Sequence, residues 1–302
     1  MRIFENANYK FVDSRTKGYI LSGILLVASI ASIAIRGLEL GIDFQGGMEF
    51  VVETATPLDA TEVRVGLGGV LGFEPEVKTF DDALLVRTLP TESITAVQNQ
   101  IVDGFSSLYP DSNPVIVKTD IVGPRFAEDL KRGAIYSILG SLLVIFVYIL
   151  IRFEWRFGLG AVAALFHDVT ITLGVFSALQ GILPFSLQID QTIIAAFLTI
   201  VGYSLNDTVV VFDRIREYSA IFKTEAYTSM VNKSINQTLS RTIVTSGTTL
   251  LVVAVLFIFG GEVLRGFAFA LIIGILIGTY SSIFVASPVV VELRNRLGNT
   301  GR

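Results

Sequence analysis

Six separate apolar stretches, each long enough to cross a bilayer, constrain this chain more than any other feature of its sequence. A spanning helix needs ~20 mostly apolar residues. The stretches cover residues 18–35, 133–151, 157–179, 191–212, 242–259 and 267–287. His167 and Asp168 interrupt the third, and the fourth contains Asn206 and Asp207. The expected fold is an α-helical polytopic membrane protein with six transmembrane helices. Composition agrees: hydrophobic residues make up 52% and charged residues 17%, where soluble chains carry ~25% charged. Ala31-Ser32-Ile33-Ala34 offers the small residues of a signal-peptide cleavage site. The apolar run before it is too long for a signal peptide, so the first stretch is read as an uncleaved anchor.

Lysine and arginine placement sets the expected orientation. Arg2, Lys10, Arg15 and Lys17 precede the first span. Arg152 and Arg156 follow the second, and Arg214, Arg216, Lys223, Lys233 and Arg241 follow the fourth. Arg294, Arg296 and Arg302 follow the sixth. All fall on one side if both termini are cytoplasmic, while the two short loops of the other side hold only Arg265. The expected division is a cytoplasmic tail over 1–17, a first helix over 18–35 and an exported domain over 36–132. Helices two to six, with cytoplasmic loops and the C-terminal tail, occupy 133–302.

The exported segment reads as strand 48–54, helix 59–71, strands 76–80 and 84–89, helix 91–108 and strand 115–121. Asp81-Asp82 marks a hairpin. Thr91 is the expected N-cap of the second helix, which has apolar Ile94, Val97, Ile101 and Phe105 and Pro110 beyond its end. The order βαββαβ is that of a ferredoxin-like α+β domain, a fold that names no function by itself. Gly41, Asp43, Gly46 and Gly47, in Gly-Ile-Asp-Phe-Gln-Gly-Gly, stand at the junction between the first span and this domain. They make either a tight turn needing positive φ or a site where another chain approaches the backbone; local chemistry favours the turn.

Several chemistries are excluded at once. The chain has no cysteine and one histidine. That removes disulfides, iron–sulfur clusters, thiol nucleophiles and multi-histidine metal sites. It has no phosphate-binding G-x-x-x-x-G-K-[ST] loop, so nucleotide hydrolysis has no P-loop route. A net charge of −4 carries no basic excess that would point to nucleic acid. No cofactor and no metal are expected.

An ionisable side chain at a membrane helix centre costs about 2.5–3.5 kcal/mol on insertion scales and usually has a task. Asp207 is the clearest case. Five residues beyond Gly202, it lies ~7–8 Å from mid-span, inside the ~15 Å half-thickness of the hydrocarbon. It is either a proton-carrying group or a helix-end carboxylate reaching interfacial water. Tyr203, Ser204 and Val211 share its face, and Asn206 adjoins it. Asp213, with Arg214, Arg216 and Glu217 behind it, reads as an interfacial charge cluster. Arg241 opens the fifth span, with Thr245 and Thr248 above it at helical spacing. It either snorkels to the interface or pairs with Asp207 from an adjacent antiparallel helix. His167 and Asp168 form either a proton relay or a packing hydrogen bond. Gly158-Leu-Gly160-Ala-Val-Ala163 matches a loose dinucleotide fingerprint by chance, because it opens a membrane helix. Its small residues, and Ala270, Gly274, Gly278 and Ser282 at i+4 spacing, read as close helix–helix packing.

These motifs in this order resemble one family. Gly41 to Gly47, Val122-Gly-Pro124, Arg152-Phe-Glu-Trp-Arg156 and Ala164-Leu-Phe-His-Asp-Val169 are similar to its signatures. So are Val201-Gly-Tyr-Ser-Leu-Asn-Asp207, Phe212-Asp-Arg-Ile-Arg-Glu217 and Arg241-Thr-Ile-Val-Thr-Ser-Gly-Thr-Thr249. Together they resemble the SecD/SecF family of bacterial protein-export membrane proteins, within the resistance–nodulation–division superfamily. The resemblance implies a six-span half-transporter in the bacterial cytoplasmic membrane, partnered by SecD and working beside the SecYEG channel with YajC and YidC. It implies use of the proton motive force to promote late steps of translocation of an unfolded polypeptide, with Asp207 and Arg241 as the proton-transfer pair. His167 and Asp168 are weaker members of that set, supported by Ser204, Asn206, Thr245 and Thr248. The alternative is half of a proton-driven small-molecule or lipid exporter of the same architecture. An enzyme is not expected, since His167 and Asp168 lack a serine or thiol partner in any recognised arrangement.

Overall fold

The computed structural model describes residues 7–73, 75–80, 82–90, 93–183 and 185–298. Among the described residues, six helices are long and apolar enough to cross a membrane. They are α1 (Arg15–Arg36), α5 (Pro124–Arg152), α6 (Trp155–Leu179), α7 (Gln191–Ile221), α8 (Tyr227–Phe259) and a last span. That last span begins as α9 (Gly261–Ser281), passes through a π-helical turn at Ser282–Ala286 and continues as α10 (Ser287–Gly298). The helices outrun the apolar stretches because backbone hydrogen bonding continues through the polar flanks; α8 starts fifteen residues before Thr242, at Tyr227.

The chain divides into two compact units. One comprises Met1–Leu38, Ser137–Ala178 and Ile193–Arg302. Its interior is aromatic and aliphatic where α6 and α7 pack, with Phe157 and Phe212 in edge contact at 4.9 Å between ring centroids. The small residues of the last span admit close approach. A Cβ on Gly278 would stand 3.0 Å from the Ser204 side chain, and one on Gly160 would stand 2.9 Å from the Ala286 carbonyl. The fingerprint-like glycines are therefore packing residues.

The other unit is Glu39–Tyr136 together with Leu179–Thr192. It contains α2 (Ile42–Gln45), β1 (Gly47–Glu53), α3 (Ala60–Leu71), β2 (Glu76–Phe80), β3 (Ala83–Thr88), α4 (Ile94–Leu108) and β4 (Val115–Val122). The strands form one antiparallel sheet in the order β2-β3-β1-β4. This is the ferredoxin-like arrangement, in which each βαβ half places its helix on the same face of the sheet. Met48, Phe50 and Val52 of β1, with Leu84 and Val86 of β3, pack against Val63 and Leu67 of α3 and Val97, Ile101 and Phe105 of α4. Ile94, expected on that buried face, is exposed in the first turn. Asp59 caps α3 by accepting from the Thr61 and Glu62 amides at 2.8 and 3.1 Å. The N-cap of α4 is Ser93, whose hydroxyl accepts from the Ala96 amide. The expected cap, Thr91, lies outside the described residues, as do Asp81 of the hairpin signal and Arg2 of the N-terminal tail.

Two departures from the sequence expectation bear on function. Residues 42–45 form a single helical turn inside the glycine motif. The connection between α6 and α7, read from sequence as a short loop of the membrane part, belongs to the ferredoxin-like unit.

Candidate functional site

Within the membrane unit, three helices meet at one carboxylate, and a fourth joins through His167. Asp168, on α6, is 1% exposed. Its Oδ2 accepts from the Ser204 hydroxyl of α7 at 2.5 Å and from the Ser281 hydroxyl of α9 at 2.7 Å. Its Oδ1 lies 2.8 Å from His167 Nδ1. His167 Nε2 lies 3.0 Å from Ser22 Oγ of α1. Ser22 Oγ in turn lies 3.1 Å from the Tyr280 hydroxyl of α9, which donates to the Gly18 carbonyl at 2.8 Å. The imidazole stacks on the Tyr280 ring, with centroids 6.0 Å apart.

Counting hydrogens along this chain constrains its chemistry. Gly18 O, Tyr280, Ser22, His167 and Asp168 are joined by four contacts, and each contact needs one hydrogen. Tyr280 and Ser22 supply one each. The other two must come from His167 and Asp168 together. The chain is complete when that pair holds one proton more than a neutral imidazole beside a carboxylate. Such a pair is neutral overall, the arrangement that a low-dielectric surrounding favours.

The second buried carboxylate is Asp207 on α7, 4% exposed. It lies three residues beyond Ser204, on the same helix face. Its hydroxyl donor is Ser246 of α8 at 3.4 Å. Ser246 is itself 2.8 Å from Thr279 of α9. The donor on Asp207 is thus Ser246 and not Arg241. The Arg241 side chain is exposed and lines a cavity of about 800 Å³ with Thr245, Asp213, Lys233 and Asn236. Asn206 is exposed. Thr248 is exposed, and its hydroxyl donates to the Val244 and Thr245 carbonyls of its own helix. None of these residues hydrogen-bonds Asp207, and Ser204, on the same face of α7, bonds Asp168 instead. Asp213 pairs with Arg152 at 3.1 Å and Arg216 at 3.2 Å, the charge cluster expected there.

Sequence reasoning missed Ser22, Ser246, Thr279, Tyr280 and Ser281. A hydroxyl in an apolar helix commonly bonds the carbonyl four residues back, as Thr172 does to Asp168 O and Thr199 to Ala195 O. The residue type alone does not separate that use from a bond across helices.

In the ferredoxin-like unit, the glycine motif makes the tight turn, and at Gly41 it also meets a segment of the same chain. Gly46 and Gly47 have φ of +73° and +131°. A Cβ on Gly47 would stand 2.7 Å from the Thr88 carbonyl. Gly41 instead has ordinary φ, and a Cβ there would stand 3.0 Å from the Asp190 side chain. It is a point of close approach for the α6–α7 connection. Asp43 accepts from the backbone amide of Gln191 at 2.9 Å, satisfying one of the free N–H groups at the start of α7.

Fold and polar core together define a multi-pass membrane protein with ionisable groups enclosed in its helical bundle. Residues 105–296 match the family described as protein export membrane protein SecD/SecF, C-terminal, and residues 31–57 match the SecD/SecF GG motif. The chain belongs to the SecD/SecF family of protein-export membrane proteins. It is 70% identical over 297 residues to the protein translocase subunit SecF of Rhodothermus marinus, covering 98% of this chain and 96% of that one. It is 39% identical to the SecF subunit of Haemophilus influenzae, covering 94% and 86%. Among solved structures it is similar to SecDF of Thermus thermophilus, a translocon-associated membrane protein, with a TM-score of 0.87 and 34% identity. The match covers 98% of this chain and 40% of that SecDF chain. A second SecDF structure, in a form described as super-membrane-facing, gives a TM-score of 0.72 at the same identity.

Proposed function

We propose that this chain is an accessory subunit of the Sec protein-export machinery that uses the proton motive force to promote late translocation of unfolded polypeptide. It pairs with SecD, as the fused SecDF relative supports, and acts beside SecYEG with YajC and YidC. It resides in the bacterial cytoplasmic membrane with both termini in the cytoplasm and the ferredoxin-like unit on the outer side. Its work is mechanical rather than enzymatic.

The observation that carries this reading is the placement of two buried carboxylates, Asp168 and Asp207, on hydroxyls of neighbouring helices. A carboxylate gripped across a helix contact changes its bonding when it gains or loses a proton, and the contact changes with it. Asp207 takes and releases the proton. Its grip is the loose one, a single hydroxyl at 3.4 Å. Arg241, five residues before Ser246 on α8, stabilises the charged form when the helices shift. His167 and Asp168 form a second proton-holding pair, which the hydrogen count along Tyr280 and Ser22 favours.

Each elementary charge that crosses 100 mV makes ~2.3 kcal/mol available. Asp207→Asn keeps the shape and the Ser246 bond but removes the titration. In membrane vesicles holding the chain with SecD and the channel, ATP-initiated export should proceed in this variant without stimulation by a proton gradient. A variant that responds to the gradient like the wild type would overturn the assignment of Asp207.

A further inference from the structure

The ferredoxin-like unit contains a charged cluster that the proton reading does not use. Arg87, on β3, is 6% exposed. Its guanidinium donates to Glu49 Oε2 at 2.8 Å and Glu76 Oε2 at 3.1 Å, both within the sheet. It also donates to Gln188 Oε1 at 2.6 Å, on the connection between α6 and α7. The Gln188 amide then donates to Glu39 Oε1 at 2.6 Å, and the Gln180 amide to Glu39 Oε2 at 2.6 Å. Lys78 pairs with Glu39 and with Glu76. Burial and the neighbouring Arg87 push the Lys78 ammonium down to about 8.

Backbone bonds continue the same contact. Leu40 and Ile189 form a parallel bridge, with the Gly41 amide on Ile189 O at 2.8 Å and the Ile189 amide on Glu39 O at 2.7 Å. Phe185, Leu187 and Ile189 are buried. Gly41 leaves room for Asp190, and Asp43 caps the first amide of α7. The connection is therefore bonded to the residues just after α1 and to the sheet by side chains, by backbone and by apolar burial. It is covalently continuous with α6, which carries Asp168, and with α7, which carries Ser204 and Asp207.

We infer that residues 179–192 are a coupling strut, with Gln188 and Arg87 as its positioning residues. Displacement of α6 and α7 on proton transfer is passed through this strut to β3 and the glycine motif, and so to the ferredoxin-like unit. The inference rests on the proton reading for its driving step, but the docking of the strut stands on geometry alone.

Gln188→Ala tests it without stranding a core charge, since Arg87 keeps Glu49 and Glu76. The chain has no cysteine, so Leu40→Cys with Ile189→Cys reports the docked contact by disulfide formation. Neighbouring strands stand ~4.8 Å apart, within the ~4.4–6.8 Å Cα range of a disulfide. In the full chain with SecD, Gln188→Ala should slow formation of this disulfide by up to about tenfold, the factor that loss of one charge-assisted bond brings to a docking equilibrium. It should also abolish gradient-stimulated export while leaving ATP-initiated export intact. Oxidising the cysteine pair in the Gln188→Ala background should restore the stimulation, and reducing it should remove it again. A merely structural glutamine would show no such rescue. Unchanged disulfide formation, or lost stimulation that the disulfide does not restore, would overturn the strut. If the parent vesicles themselves ignore the gradient, the proton reading fails, and the disulfide rate still decides whether Gln188 docks the strut.

Discussion

Asp168→Asn and Asp168→Ala should part company, and the difference follows from the hydrogen bonds. An asparagine can turn its oxygen to Ser204 and Ser281 and its amide to His167. His167 Nδ1 then accepts, Nε2–H donates to Ser22, Ser22 donates to Tyr280 and Tyr280 donates to Gly18 O. Every contact of the native chain is filled, because asparagine mimics the form of the pair that holds the extra proton. Alanine removes all three contacts. Ser281 retains its bond to the Gly278 carbonyl at 3.1 Å, but the Ser204 hydroxyl and the imidazole lose their partners on Asp168. Interhelical hydrogen bonds in membranes are worth ~0.6–2 kcal/mol each, and a stranded buried donor costs about 1–3 kcal/mol. With Ser204 free to turn to its own carbonyl ladder, one stranded imidazole nitrogen and two lost interhelical bonds place the loss from Asp168→Ala at roughly 2–7 kcal/mol, against less than ~1 kcal/mol for Asp168→Asn. Thermal unfolding of the detergent-solubilised protein should give a clearly lowered midpoint for alanine and a near-native one for asparagine. In vesicles, Asp168→Asn should nonetheless blunt the gradient response, since its amide cannot give up the proton it imitates. Equal midpoints for the two variants would refute the network as described.

Two further tests address topology and the glycine motif. Cysteines introduced as Asp111→Cys and Ala220→Cys, both at exposed positions, should differ in intact spheroplasts: an impermeant thiol reagent should label the first and spare the second, and the reverse pattern would invert the orientation. Gly47→Ala should destabilise the ferredoxin-like unit by more than the ~1–3 kcal/mol of backbone strain, because its Cβ also meets the Thr88 carbonyl. Gly69→Ala, in the interior of α3 with open space around it, should stabilise by ~0.5–1 kcal/mol; limited proteolysis giving the two variants equal resistance would contradict the assignment.

The helices and the domain were legible because their signals are local. An apolar run of spanning length has one stable solution in lipid, since every backbone group must find its bond inside the segment. Alternating apolar residues and turn signals marked the strands of the ferredoxin-like unit to within a residue or so at most ends, and the register followed once Met48, Phe50 and Val52 had to face the two helices. Asp207 and Asp168 stood out because charge in an apolar run is expensive. The cap of α4 is Ser93; a cap is decided by which residue leaves helical geometry, and a threonine and a serine two residues apart offer the same capping chemistry.

What tertiary structure alone decided were the partners. Nothing local distinguishes Ser246, which bonds Asp207, from Thr248, which bonds its own helix. Likewise, Gln188 lies about a hundred residues from Arg87 in a connection without periodicity. A serine in a membrane helix has two acceptors within reach, its own carbonyl ladder and the next helix, and their energies differ by little. The choice falls to backbone separation, which the small residues Gly274 and Gly278 set by letting α9 close on α7. Sequence therefore determined which groups had to be buried, and packing determined which hydroxyl, amide or guanidinium each of them met.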